Sequence, residues 1–262
     1  MSGEIDWNDE ITGRTDRMLI AAVAMAAALG AALGSVLSVV AWRVPRGFTL
    51  RQSWPTADYR VSTLWSGGPI LRRSPRGSAS PRPVVALRPP ASELMTGLLF
   101  AVLTWRFGVT WVLPAYLFLA AAAVLLGVID LQHQRLPNSI VAPFAVGSVL
   151  LLTLAAFGSG AWESLVRAVV GGVALFVVYL VLALISPASL GMGDVKLAGV
   201  LGLLMAYLSW RTLLYGATGA FAISAVIAIG ILLTRRGNRR TQLPFGPSML
   251  LAALIAVLLN VS

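Results

Sequence analysis

A chain of 262 residues that is 58% hydrophobic and only 11% charged carries more apolar surface than a water-soluble core can hide, so lipid is the solvent for most of it. The absence of cysteine excludes disulfides, a thiolate nucleophile and cysteine-based metal sites, and the single histidine, His133, excludes a multi-histidine metal centre. The net charge of +10 is mostly arginine lying between apolar runs without a nucleic-acid-binding motif, so it reads as membrane topology and no nucleic-acid partner is expected.

Residues 1–17 hold five acids against two arginines and read as a short tail outside the membrane. The apolar run at 18–42 is longer than the h-region of about 7–15 residues in a cleavable signal peptide, so it reads as an uncleaved first transmembrane helix. Residues 43–92 are rich in Arg, Pro, Ser and Gly and read as one large irregular cytoplasmic loop. The remainder, 93–262, forms the transmembrane core. A membrane-crossing helix needs about 20 apolar residues. Candidate spans in the core fall at 94–109, 111–129, 139–157, 163–185, 194–209, 212–233 and 243–260. The expected fold is therefore all-α, a polytopic membrane helix bundle of about eight spans with one large loop.

Charge placement orients it. With the N-terminus outside, the loops after spans one, three, five and seven hold fourteen of the twenty basic residues. That bias is the signature of cytoplasmic loops. The pairs Gly30 with Gly34, Gly171 with Gly172 and Gly216 with Gly219 predict close helix packing.

Six of the ten acids lie in the tail or the large loop, which leaves Glu93, Asp130, Glu163 and Asp194 near the membrane. Ionisable groups at membrane depth are costly and are functional candidates. Glu163 reads as a dipole partner at a helix start. Asp130 closes the third span and Asp194 opens the sixth, which puts both at the same membrane face. Two carboxylates in one poorly solvated site do not both ionise easily, so the pair can share a proton. One then serves as base on a water and the other as acid toward a carbonyl, with no cofactor. On pattern alone, a proton- or cation-coupled transporter using the same two aspartates stands beside this peptidase reading.

The surroundings favour proteolysis. Gly191 and Gly193 allow backbone conformations forbidden to other residues and permit close approach of an extended peptide. Lys196 lies two residues beyond Asp194, where it could favour an ionised carboxylate. Pro137 and Asn138 form a turn before the fourth span, with Asn138 as its N-cap.

These motifs resemble the prepilin peptidases, or type IV leader peptidases, of the GxGD class of aspartic peptidases. The resemblance is ordered along the chain. Gly34, Ser35, Val36 and Leu37, followed by Arg43 and Pro45, are similar to the end of the family's first helix. The run Pro90 to Leu94 with Thr96 and Gly97 resembles the entry to the second. Asp130 with Leu136, Pro137 and Asn138 resembles the first catalytic motif, and Gly191 to Leu197 resembles the second. Leu243, Pro244, Phe245, Gly246 and Pro247 resemble the opening of the last helix.

The resemblance implies an inner-membrane endopeptidase that removes the leader from type IV prepilins or pseudopilins at the cytoplasmic face. Asp130 and Asp194 would be its catalytic pair, and it would use no cofactor for proteolysis. Many members carry two Cys-x-x-Cys pairs in the large loop, tied to S-adenosylmethionine-dependent methylation of the new N-terminus. This chain has none. Ser38 also replaces a common asparagine. Methylation is therefore left open, with Glu93 as the acid to test for it.

Overall fold

The computed structural model describes residues 7–43, 89–133, 138–186, 190–233 and 245–260. Among these the regular structure is helical throughout: α1 (Trp7–Arg43), α2 (Pro89–Phe107), α3 (Leu113–His133), α4 (Asn138–Ser159), α5 (Trp162–Ile185), α6 (Met192–Leu208), α7 (Trp210–Leu233) and α8 (Gly246–Leu258). Segments of five of them, Asp16–Leu37, Leu113–Leu131, Ile140–Ser159, Trp162–Ile185 and Trp210–Gly230, are long and apolar enough to cross a membrane. On α5, Val166, Val170, Val173, Val177, Val181 and Leu184 are exposed, an apolar stripe that a lipid environment accommodates. The protein is a polytopic helical membrane bundle.

Several boundaries differ from the sequence expectation. Helix α1 starts at Trp7, inside the stretch read as a tail. Helix α2 starts at Pro89, so the end of the segment read as loop is helical. Proline is at home in a first turn because its missing N–H has no intrahelical partner there. Most of the large loop and the turn containing Pro137 lie outside the described residues.

Two helices end on a glycine that only glycine accommodates easily. Gly108 (φ +63°) follows α2 and Gly160 (φ +71°) follows α4. The Gly108 N–H donates to the Thr104 carbonyl at 2.8 Å, satisfying one of the last-turn carbonyls of α2. Helix α7 begins almost without a loop. Ser209 sits in extended backbone after α6, and its Oγ accepts the Thr212 N–H at 3.1 Å as a cap.

Lipid offers no hydrophobic drive for helices to associate, so close packing must hold the bundle together. The sequence glycines supply it. A Cβ on Gly202 of α6 would meet the Gly171 carbonyl and Leu175 Cβ of α5, each at 2.9 Å. A Cβ on Gly34 of α1 would meet the Ser92 carbonyl of α2 at 2.8 Å, and one on Gly30 would meet the Thr96 carbonyl at 2.8 Å. A Cβ on Gly216 of α7 would overlap the Met205 Sδ of α6.

Helices α6 and α8 are the shortest and are largely buried, because they form the inside of the bundle. Helix α6 touches α4, α5, α7 and α8, and α8 touches α3, α6 and α7. Tyr116 of α3 is fully buried and donates its hydroxyl to the Leu204 carbonyl of α6 at 3.0 Å, which ties the third helix to this inner pair.

Candidate active site

The inner pair of helices decides where the acids lie. Asp130 occupies the last turn of α3 and is only 4% exposed. Asp194 occupies the first turn of α6 and is half-buried. The two carboxylates lie within electrostatic reach of each other. The bundle therefore brings together the two acids that the sequence singled out, from helices separated by α4 and α5.

Each carboxylate meets a helix N-terminus. Asp130 faces the backbone N–H of Gly246, the first residue of α8. Asp194 is itself in the first turn of α6, where its backbone N–H donates to the Gly191 carbonyl at 3.0 Å. In return the Gly191 N–H points at Asp194 Oδ2 over a long 3.4 Å. Free N–H groups and the helix dipole favour negative charge at such ends. One Asp130 oxygen, Oδ2, is nonetheless buried with no hydrogen-bond partner.

The glycines behave differently from their sequence reading. Gly191 has φ −80° and ψ 150°, an extended conformation open to any residue, and Gly193 lies within α6. Neither uses a backbone region reserved to glycine; among the described residues only Gly108 and Gly160 do. What Gly191 keeps open is space, since a Cβ there would sit 3.7 Å from Asp194 Oδ2.

Lys196 also departs from expectation. Two residues along an α-helix is about 200° around its axis, so Lys196 leaves α6 on the side away from Asp194. It lines an apolar cavity of about 470 Å³ bounded by Val141 and Ala145 of α4, Val173 and Phe176 of α5, and Val200 of α6. Asn138 opens α4. Pro137 is outside the described residues. Glu93 is half-buried on α2, where its backbone abuts Gly34 of α1.

Three aromatic residues complete the surroundings and were not singled out as site residues. Tyr179 of α5 feels the charge of Asp194. Its ring packs against Phe221 of α7 and against Phe245, the residue that caps α8. Phe245 and Gly246 were visible in sequence only as part of a motif at the start of the last helix. Tyr179 left no signal, because one tyrosine in an apolar span reads as core. Among the described residues no cluster of three or more His, Cys, Asp or Glu side chains could hold a metal ion.

Comparison with known proteins identifies the family. Residues 117–234, which include both aspartates, match the type IV leader peptidase family. A prepilin leader peptidase/N-methyltransferase of Stutzerimonas stutzeri is 30% identical over 78% of this chain and 70% of its own. One of Pseudomonas aeruginosa is 31% identical over 74% of this chain and 67% of its own. One of Neisseria gonorrhoeae is 28% identical over 91% of both. No solved structure matches the chain. None of these relatives supports a transporter. With paired aspartates inside the matched segment and relatives of that name along most of its length, the chain belongs to the type IV leader peptidase family.

Proposed function

We propose that the chain is an aspartic endopeptidase of the bacterial inner membrane that removes leader peptides from type IV prepilins or pseudopilins. Asp130 and Asp194 are its catalytic pair. The observation that carries this reading is that two carboxylates from separate helices, beside the N-termini of α6 and α8, lie within electrostatic reach of each other. The family membership supports the same conclusion.

The chemistry follows from the pair. One aspartate is ionised and the other holds a proton. The ionised carboxylate takes a proton from water as the water oxygen attacks the scissile carbonyl carbon. The protonated partner gives its proton to the carbonyl oxygen. The tetrahedral diol then collapses, the C–N bond breaks, and the leaving amine takes a proton from the pair. The buried Asp130 Oδ2, without a partner of its own, supports a role as a poised acceptor. Leaving such an oxygen unpaired costs about 1–3 kcal/mol, which suits a working group better than a structural one.

The excess of arginine in loops on one side supports a cytoplasmic active site with the N-terminus outside. Gly191 leaves room for a substrate chain beside Asp194. Methyl transfer stands in the relatives' names; in this chain the large loop lies mostly outside the described residues and Glu93 sits at a helix contact.

The test is leader removal from a co-expressed prepilin. Asp130→Asn and Asp194→Asn should each insert normally in the membrane and lower cleavage by at least about 100-fold, as loss of a general acid or base does. Normal trimming by either variant overturns the assignment.

A further inference from the structure

The cavity beside Lys196 belongs to no step of the chemistry above. It lies between α4 and α5 with α6 as its floor, and it holds about 470 Å³. Val141 and Val149 of α4 border its two ends, eight residues or about 12 Å of helix apart. Val149 of α4 and Val169 and Val173 of α5 line it and are exposed, so the cavity is a groove open to the outside of the bundle. Among the described residues its walls are apolar but for one charged side chain, Lys196.

The lysine stands at one end. Lys196 lies four residues into α6 and Val141 three residues into α4, so this is the end at which both helices begin. The far end, at Val149, Val169 and Leu203, lies deeper along the same helices. An ammonium at the membrane edge and an apolar channel running inward match an amphiphile with an anionic head and a hydrocarbon tail. A transmembrane helix fits less well. It would find about 12 Å of groove along a hydrocarbon core of about 30 Å. Close helix contact also calls for small residues that face the newcomer. The two glycines of the groove are instead spent on the α5–α6 contact. A Cβ on Gly172 would meet the Gly199 carbonyl at 3.0 Å, and one on Gly199 would meet Phe176 Cβ at 3.2 Å.

We propose that the groove between α4 and α5 binds one anionic phospholipid of the surrounding bilayer, with an acyl chain along the groove and the phosphate at the Lys196 ammonium. Basic pockets between transmembrane helices at a membrane edge hold such headgroups. The flexible four-carbon stem of lysine lets the ammonium rise from the groove wall to headgroup level. The acyl chain fills the space that separates α4 from α5 and braces α6, whose first turn carries Asp194. This lipid site stands whether or not the chain cleaves prepilins.

The experiment uses the full-length protein, purified in a maltoside detergent and stripped of lipid. Palmitoyl-oleoyl phosphatidylglycerol or the zwitterionic palmitoyl-oleoyl phosphatidylcholine is titrated in. Native mass spectrometry counts the bound lipid, and thermal unfolding is followed beside it. Phosphatidylglycerol should fill one tightest site, at least about fivefold more tightly than phosphatidylcholine, as one basic residue near a headgroup gives. It should raise the melting temperature by about 3–5 °C at ten times its Kd. Lys196→Gln should fold, keep the weaker affinity for phosphatidylcholine and lose the preference. Val173→Trp, which puts a ring into the open side of the groove, should weaken both lipids by at least about tenfold, since it displaces buried methylenes. Arg211→Gln removes an exposed cation beyond the other end of α6 and should keep the preference.

A folded Lys196→Gln that still prefers phosphatidylglycerol overturns the proposal. So does an Arg211→Gln that loses the preference as fully as Lys196→Gln, because the selectivity would then belong to the whole surface. If Lys196→Gln does not fold, Val173→Trp decides: lost phosphatidylglycerol binding supports the site and unchanged binding overturns it. A dimer in the same spectra that Val173→Trp dissolves and phosphatidylglycerol leaves intact would assign the groove to a second copy of the chain and overturn the lipid site.

Discussion

The backbone N–H of Gly246 faces the carboxylate of Asp130, so the acidic partner of Asp194 sits at the mouth of a helix that neither aspartate belongs to. The far ends of the two inner helices are closed in a matching way. Arg167 of α5 donates to the Ala206, Tyr207 and Leu208 carbonyls that end α6, at 2.7, 2.7 and 3.0 Å. Arg106 of α2 donates to the Leu258 carbonyl that ends α8 and to the Asn260 carbonyl just beyond it, at 3.3 and 2.7 Å. Each inner helix therefore points its positive end at the acids and has its negative end neutralised by an arginine from a neighbour.

Arg167 should matter for stability more than Arg106. Its guanidinium is half-buried and satisfies three carbonyls that have no intrahelical partner. Arg167→Met should destabilise the bundle by about 2–4 kcal/mol, because carbonyls left unpaired away from water cost their full desolvation. Arg167→Lys should recover part of this, since an ammonium offers donors without the planar fork. Arg106 is exposed, and Arg106→Met should cost less than about 1 kcal/mol. Thermal unfolding in detergent ranks the three. Equal losses at both arginines would show that the buried fork has no special weight.

The glycines separate into packing positions and open ones. Gly202→Ala places a Cβ 2.9 Å from the Gly171 carbonyl, so α5 and α6 must part. It should destabilise by about 1–3 kcal/mol, the usual cost of overpacking. Gly191→Ala meets nothing closer than Asp194 Oδ2 at 3.7 Å and keeps a backbone any residue adopts, so its stability should change by less than about 0.5 kcal/mol. Cleavage measured on the same two proteins then tells whether Gly191 leaves space that a substrate uses: a folded Gly191→Ala with raised KM is the expected result.

Much of this was legible in the sequence because the bilayer imposes simple rules. Apolar runs of the right length gave the spans, and scarcity of charge made Asp130 and Asp194 conspicuous. The Gly30–Gly34 and Gly171–Gly172 pairs announced contacts that the helices make. Ends were harder. Pro89 with Pro90 looks like loop in a hydropathy reading, yet proline suits a first turn. Side-chain direction was harder still. Lys196 is two residues from Asp194 in sequence and across the helix from it in space. Tyr179 gave no signal, because its significance comes from α7 and α8 rather than from its own segment.

The last prediction concerns stability at Asp130 itself. A carboxylate 4% exposed, with Oδ2 unpaired, is a poor choice for holding a fold together. Asp130→Asn has nearly the same shape and removes the charge that burial penalises. It keeps an oxygen to accept the Gly246 N–H. The substitution should therefore leave the melting temperature unchanged or raise it, with a gain of up to about 1–2 kcal/mol, while cleavage is lost. The measurement is thermal unfolding of the purified variant beside the unsubstituted protein. A loss of more than about 1 kcal/mol would mean that the carboxylate is satisfied within the fold, and the argument from its unpaired oxygen to a working role would fail.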